Sequence, residues 1–275
     1  MPPCSKSSPM IASLPMYVSH PAGSAALWQY LARYLHQAGV PDVPTELDIP
    51  TNDDLTQHWL RPDLLFSQCC GYQMVDALEQ RVQLVGAFHY TVQGCDGIHY
   101  SSHLVCRDDD AGRTLADFRN RGVAYNSADS QSGYHSLRSM AAPLAVNGKF
   151  FARAIASGAH IASLALVRSG AADIAAIDCI SYAQFQRYQP EVLLGTRIVG
   201  RTASVPGTAL VTALGTPPAL LALLRQGLQQ AMADPALAGT RAGLLLGGFE
   251  AAPASAYQLL QHLDRQATAL GLAQL

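Results

Sequence analysis

Between residues 11 and 107, short apolar runs alternate with segments whose apolar positions recur every three or four residues. IASLPMY (11–17) predicts a first strand. AALWQYLARYLHQAG (25–39) predicts an amphipathic helix that carries Leu27, Tyr30, Leu31, Tyr34 and Leu35 on one stripe and ends at Gly39. VPTELDI (43–49) reads as a second strand, DDLTQHW (53–59) as a short helix, PDLLFS (62–67) as a third strand, YQMVDALEQ (72–80) as a helix and VQLVGAFHY (82–90) as a fourth strand. Strands that alternate with helices imply an α/β fold with a mostly parallel sheet covered on both faces.

The pattern then begins again. After the β-rich run IHYSSHLVCR come TLADFRNRG, the strand VAYN, a helix from about Ser132 and helices through KFFARAIAS and HIASLALVRSG. The strand DIAAI, the helix SYAQFQRY and the strand VLLGTRIVG complete a second, smaller αβ unit from about 105 to 200. Beyond it, PGTALVTA reads as a strand, and PPALLALLRQGLQQAMAD and SAYQLLQHLDRQATAL as capping helices. Two open sheets in one chain invite a ligand between them, at the carboxyl ends of strands.

Composition narrows the partners. The chain has 275 residues, 49% of them hydrophobic, a formal net charge of −2 and lysine only at Lys6 and Lys149, so no basic stripe fits a nucleic-acid backbone. No apolar stretch is long enough to span a membrane. The first residues, MPPCSKSSPMIASLPMY, lack the basic head and apolar run of a secretory leader, and no apolar run precedes Cys4 as a lipid-anchor signal requires. A cytoplasmic location and a chain written without its leader both fit. The cysteines form no C-x-x-C pair, and His99 and His103 on a strand would stand about 13 Å apart, so neither a metal site nor any other cofactor is expected.

The candidate chemistry lies in YNSADSQSGYHSLRS (125–139). A strand ending at Asn126, then hydroxyl residues and a helix start, presents free N–H groups and the positive end of a helix dipole, which is an anion cradle that needs no lysine. Ser130 and Ser132 also fit a plain N-cap.

Several segments, in order and spacing, resemble the phosphonate-binding solute receptors of ABC transporters, the PhnD-like group within the type II periplasmic-binding-protein fold. They are SLPMY, PDLLFSQCCGY, GCDGIHYSSHLVCR, SADSQSG, SGAHIASLALVRSGAADIAAIDCISYA and RTASVPGTALVT, and the resemblance covers about residues 11 to 235. The resemblance implies a two-lobed clamp, with lobe 1 formed by 1–103 and 205–275, lobe 2 by 104–204, and crossing segments near 102–107 and 200–206. It implies a small oxyanion of phosphonate or phosphate type, bound by hinge closure, and an ABC permease as partner. Export to the periplasm is implied too.

By the same resemblance Ser130, Gln131 and Ser132 hold the anion, with glutamine where the better-known receptors have threonine. Tyr100 faces the cleft, His160 stands near the anion, and Asp178 meets an amine or a protonated oxygen. Each has a plainer reading, Tyr100 as a core tyrosine, His160 as a cap or surface residue, Asp178 as the cap of the helix starting at Ser181. Tyr17, Ser67 and Gln68 occupy strand ends that would line the opposite wall, or belong to ordinary loops. Arg138 falls deeper in its helix and points away from the mouth.

Two other functions share these residues. Ser132, His160 and Asp178 could converge as a hydrolase triad, but no G-x-S-x-G elbow is present and the chain order Ser, His, Asp is not that of the hydrolase class. A cytosolic sensing domain would use the same clamp. Cys70 and Cys95 follow consecutive predicted strands, and if those strands are neighbours the two thiols could form a disulfide, a sign of an oxidising compartment.

Overall fold

The computed structural model describes residues 10–17, 19–51 and 54–275. Cys4, Lys6 and the first residue of the DDLTQHW segment lie outside the described residues.

The first part of the chain forms β1 (Ile11–Ala12), α1 (Pro21–Gln37), α2 (Leu55–Trp59), β2 (Leu64–Cys69), β3 (Val82–Tyr90) and β4 (His99–Tyr100). The second unit holds β5 (Ser102–Arg107), β6 (Gly122–Tyr125), α3 (Ser136–Ala141), β7 (Arg153–Ala156), α4 (His160–Arg168), β8 (Ile174–Asp178), α5 (Cys179–Tyr188) and β9 (Thr196–Arg201). The chain then returns through β10 (Val205–Pro206), β11 (Ala209–Ala213), α6 (Pro218–Ala233), α7 (Ala238–Leu244), β12 (Leu246–Glu250) and α8 (Gln258–Ala269).

The strands make two sheets, ordered β1-β2-β11-β3-β12 and β7-β6-β8-β5-β9, and the short pair β10-β4 lies where the chain passes between them. The result is a two-lobed α/β protein. In the first sheet β1 and β2 are parallel, but β11 is antiparallel to both β2 and β3, and β12 is antiparallel to β3. In the second, β6 is parallel to β7 and β8, while β5 runs against β8 and β9. Neighbouring strands are therefore more often antiparallel than the alternation of strands and helices suggests, because returning strands wedge between those of the outgoing chain.

Burial on both faces fixes the layers. All of β2 is buried, as an inner strand covered on both sides must be. One face of the first sheet packs against α1 and α6 through Leu27, Leu31, Leu35, Leu224 and Leu228, and the stripe on α1 ends where Gly39 takes φ +89°. In the second sheet β5 sends Leu104 and Cys106 to a core with Phe118 and Phe150, and Val105 to the opposite core with Leu164 and Phe185. Helix α8 spans the two units. Its Leu260 joins a core of the first sheet, and its Ala267, with Leu272 just beyond, joins that of the second.

Several segments differ from their pattern, and IASLPMY keeps only the two-residue strand Ile11–Ala12. VPTELDI forms no strand: it is tethered to α1 by the Trp28 indole N–H donating to Pro44 O at 3.1 Å and Gln29 Nε2 to Thr45 O at 3.0 Å, and Ile49 is 90% exposed. YQMVDALEQ keeps only a short 3₁₀ turn at Tyr72–Val75. KFFARAIAS is not a helix, because Arg153–Ala156 adds to the edge of β6 as the parallel strand β7.

The Cys70–Cys95 pairing is not found. It rests on β2 and β3 being neighbours, and β11 lies between them. The Cys70 sulfur instead accepts the Gln131 N–H at 3.3 Å, and the Cys95 sulfur lies 3.5 Å from that of Cys179.

Candidate functional site

The turn after β6 is built around Ser130. Its backbone carbonyl accepts both the Tyr134 N–H at 3.2 Å and the His135 N–H at 3.0 Å, so the helix opens with a wide turn over Gln131–His135. Its hydroxyl accepts the Gly133 N–H at 3.1 Å, the bond of an N-cap. Gly133 has no room for a side chain, since an added Cβ would stand 2.0 Å from Asn126 Oδ1. The glycine of the S-x-S-G run is thus a matter of close approach.

Ser132 faces the start of α4. Its hydroxyl lies 3.0 Å from His160 Nε2, and the same nitrogen lies 3.2 Å from Asp178 Oδ2. The other oxygen of Asp178 accepts the N–H groups of Ile180 at 3.0 Å and Ser181 at 2.8 Å, capping α5. Asp178 is therefore both a cap and a member of the site. Burial pushes its carboxyl up, but hydrogen bonds from His160 and Ser181 outweigh that and hold it below the ordinary carboxylate value. His160 Nδ1 is buried without a partner among the described residues.

Across from this wall stand Tyr17 and Tyr100. Tyr17 sits at φ +60° after β1 and packs edge-on against Tyr90, with ring centroids 5.2 Å apart. Burial and the nearby Asp178 raise its phenol well above the usual value; burial, Cys70 and Asp178 do the same for Tyr100. Both hydroxyls stay protonated and available as donors.

Tyr17, Tyr100, Ser130, Ser132, His160 and Asp178 converge on one cleft of about 300 Å³. The other sequence candidates do not line it. Gln131 turns its side chain inward, donating to Ser136 Oγ at 2.9 Å, and its backbone N–H donates to the Cys70 sulfur. Ser67 is buried between Ser13 Oγ at 2.7 Å and the Trp59 indole N–H at 3.0 Å. Gln68 stands behind the wall and donates to Tyr90 and to Thr208 Oγ1, at 3.1 and 2.9 Å. The apolar run PDLLFS suggests a strand ending at Ser67, whereas β2 continues to Cys69 and places both residues inside the sheet.

The sequence pattern does not pick out Cys70, Gln73, Asn126, Asp129 or Thr208 as site residues, and all five are among the lining. Gln73 Nε2 donates to Asp129 Oδ2 at 2.8 Å, and with the Gln131 N–H to Cys70 contact it joins the two walls. No Arg or Lys is among the described lining residues. Arg138 is instead buried and bound to the C-terminal segment, donating to Leu272 O at 2.7 Å, Ala273 O at 3.0 Å and the Asp264 carboxylate. What the cleft offers is hydroxyls, the His160 imidazole and two carboxylates, Asp129 and Asp178, each already hydrogen-bonded.

This arrangement is not a hydrolase triad. A relay uses opposite nitrogens of the imidazole, one toward the nucleophile and one toward the acid. Here Ser132 and Asp178 both address Nε2.

Two lobes with a polar cleft between them define a type II periplasmic binding protein. The family model described as "ABC transporter, phosphonate, periplasmic substrate-binding protein" matches residues 16–257, and the chain belongs to that family. It is a family of transport receptors, not enzymes, that take a small ligand and serve a permease. No curated protein sequence matches the chain.

Similar solved structures include a binding component of an ABC phosphonate transporter from Pseudomonas aeruginosa, with 16% identity over 95% of this chain and 87% of that one, at a TM-score of 0.75. PhnD1 of Prochlorococcus marinus in complex with methylphosphonate has 15% identity over 94% and 98%, at 0.75. A Xanthomonas citri protein solved with chloride has 18% identity over 95% and 98%, at 0.71. At these identities the likeness is one of fold. Among the described residues no helix is long and apolar enough to cross a membrane, and no group of three or more His, Cys, Asp or Glu is placed to hold a metal ion.

Proposed function

We propose that the chain is the receptor for a small phosphonate- or phosphate-type oxyanion, held at the Ser130–Gly133 turn as the lobes close. The observation that carries this reading is the convergence of the Ser130 and Ser132 hydroxyls and two protonated tyrosines on one small cleft, at a turn whose Ser132 N–H has no partner among the described residues. Together they supply donors to several oxygens of one tetrahedral group without a cationic side chain. Asp178 selects within that class. An acceptor beside the anion favours a ligand that brings a proton or an ammonium group and disfavours a bare dianion.

The lobes take residues up to 103 with 205–275, and 104–204, α8 reaching from the first over the second. They hinge where the chain passes between the sheets. The working compartment is the periplasm, as for the family, with an ABC permease as partner.

Calorimetry with methylphosphonate, an aminoalkylphosphonate, inorganic phosphate and sulfate tests the ligand class, and small-angle scattering tests closure. The expected result is saturable binding of at least one phosphorus oxyanion, a smaller radius of gyration on saturation, and weaker binding of sulfate. Binding of carboxylates with no phosphorus ligand bound would overturn it.

A further inference from the structure

Away from the cleft, the sulfur of Cys95, on the loop after β3, lies 3.5 Å from that of Cys179, the first residue of α5. The sulfurs come from positions 84 residues apart and from segments that belong to different sheets. The close approach is built in by Gly94, which sits at φ +109°, where an added Cβ would come within 3.1 Å of Cys179 Cβ and 3.2 Å of its sulfur. Cys179 is further fixed by its own N–H, which donates to Ser101 O at 3.0 Å. Cys179 is 1% exposed, while Cys95 is half-buried.

Beside the pair lies a second depression of about 460 Å³, separate from the ligand cleft, whose lining includes Cys179, Gln93, His103, Tyr182, Gln186 and Arg201. His103 Nδ1 is buried there with no partner among the described residues, and Arg201 is exposed. Amide, phenol and guanidinium groups beside a thiol pair suit a small disulfide that carries carboxylates.

We propose that Cys95 and Cys179 are a thiol oxidation site that exchanges with a low-molecular-weight disulfide of the glutathione type, docked over Arg201. The Cys95 thiolate, its proton lost to solvent, attacks one sulfur of the oxidised glutathione. That S–S bond breaks, and one glutathione leaves as thiolate and takes up a proton. Cys179, deprotonated in turn, attacks the Cys95 sulfur of the mixed disulfide and expels the second glutathione. Two protein thiols lose two electrons and two protons, and one glutathione disulfide becomes two glutathione thiols. The sulfurs need to approach by about 1.5 Å to reach bonding distance, a shift within reach of a loop. The product ties the loop after β3 to the start of α5, the residue next to Asp178.

The full chain is equilibrated in reduced-to-oxidised glutathione buffers, quenched with acid and mapped by mass spectrometry without reduction. The expected product is a Cys95–Cys179 linked peptide, two hydrogens lighter than the reduced pair, formed while the fold is intact. Cys179→Ser should stop at one stable glutathione adduct on Cys95. Arg201→Glu should slow the reaction with glutathione disulfide by about tenfold, and leave that with the cationic disulfide cystamine no slower. A wild-type chain that holds an unresolved adduct on Cys95, links other cysteines, or reacts only after unfolding would overturn the proposal. Equal rates of wild type and Arg201→Glu with glutathione disulfide would overturn the docking over Arg201.

Discussion

Gln73 and Asp129 close the mouth of the cleft from opposite walls, the amide of one donating to the carboxylate of the other at 2.8 Å. This bond crosses between the lobes, and the ligand is not part of it. Gln73→Ala should therefore raise the dissociation constant by about 5- to 30-fold, the worth of about 1–2 kcal/mol for a bond to an exposed carboxylate. Titration calorimetry checks this, and an unchanged affinity would separate the bond from closure.

Ser132→Asp should abolish anion binding. The new carboxylate would meet the ligand and stand near Asp178, with which Ser132 shares His160 Nε2. A residue that only began a helix would accept aspartate there, so a cooperative melt with no binding is the expected pair of results.

Ser130→Ala should affect both stability and binding. It leaves the Gly133 N–H without its 3.1 Å acceptor, costing about 1 kcal/mol of stability, and removes one donor to the anion, costing about 1.5–3 kcal/mol of affinity. Melting curves and calorimetry on one preparation distinguish the two losses.

Asp178 gives the fold a pH dependence of known sign. Its folded value lies below its ordinary one, so the stability it contributes is present above the ordinary carboxylate range, about pH 4, and is lost as pH falls through the lower folded value. Asp178→Asn keeps a good helix cap and removes the titration. Its melting temperature should fall less steeply than wild type on acidification below about pH 5. The variant should also lose more affinity for an aminoalkylphosphonate than for methylphosphonate.

Arg138→Ala should destabilise the protein by about 2–3 kcal/mol, because it leaves two carbonyls without their donor and takes one of two partners from the Asp264 carboxylate, which keeps His135. Limited proteolysis should then cut first near residues 264–273, which Arg138 holds against the second sheet.

Much of this was readable because burial leaves a period in the sequence. Leu27, Leu31 and Leu35 mark α1, and the alternation of Leu104, Val105 and Cys106 marks a strand covered on both sides. The helix start at the serine turn was legible for a different reason: hydroxyls before an apolar helical run cap it, as Ser130 does. Long-range pairing leaves no such trace. Nothing local in PGTALVTA tells it to insert between β2 and β3, and that insertion is what separates Cys70 from Cys95. Edge strands were hardest. Arg153–Ala156 is largely exposed and carries no alternation, and the LGGFE of β12 has no β-branched residue to mark a strand. Gln131, Ser67 and Gln68 lie outside the cleft lining because β2 runs two residues past Ser67, or because a polar side chain finds a buried partner first.

The place of β11 has a consequence for how the chain is made. Val211 pairs with Ser67 on one side and Leu84 on the other, so the first sheet stays split until the last quarter of the chain has emerged from the ribosome. Up to that point β2 and β3, both rich in buried apolar residues, present open edges to the nascent chain and its neighbours. Such late, distant closure makes folding slow and keeps the first lobe open for most of the chain's synthesis. A chain that must cross a membrane in extended form gains from that delay, and one that folds where it is made needs a chaperone through the same interval.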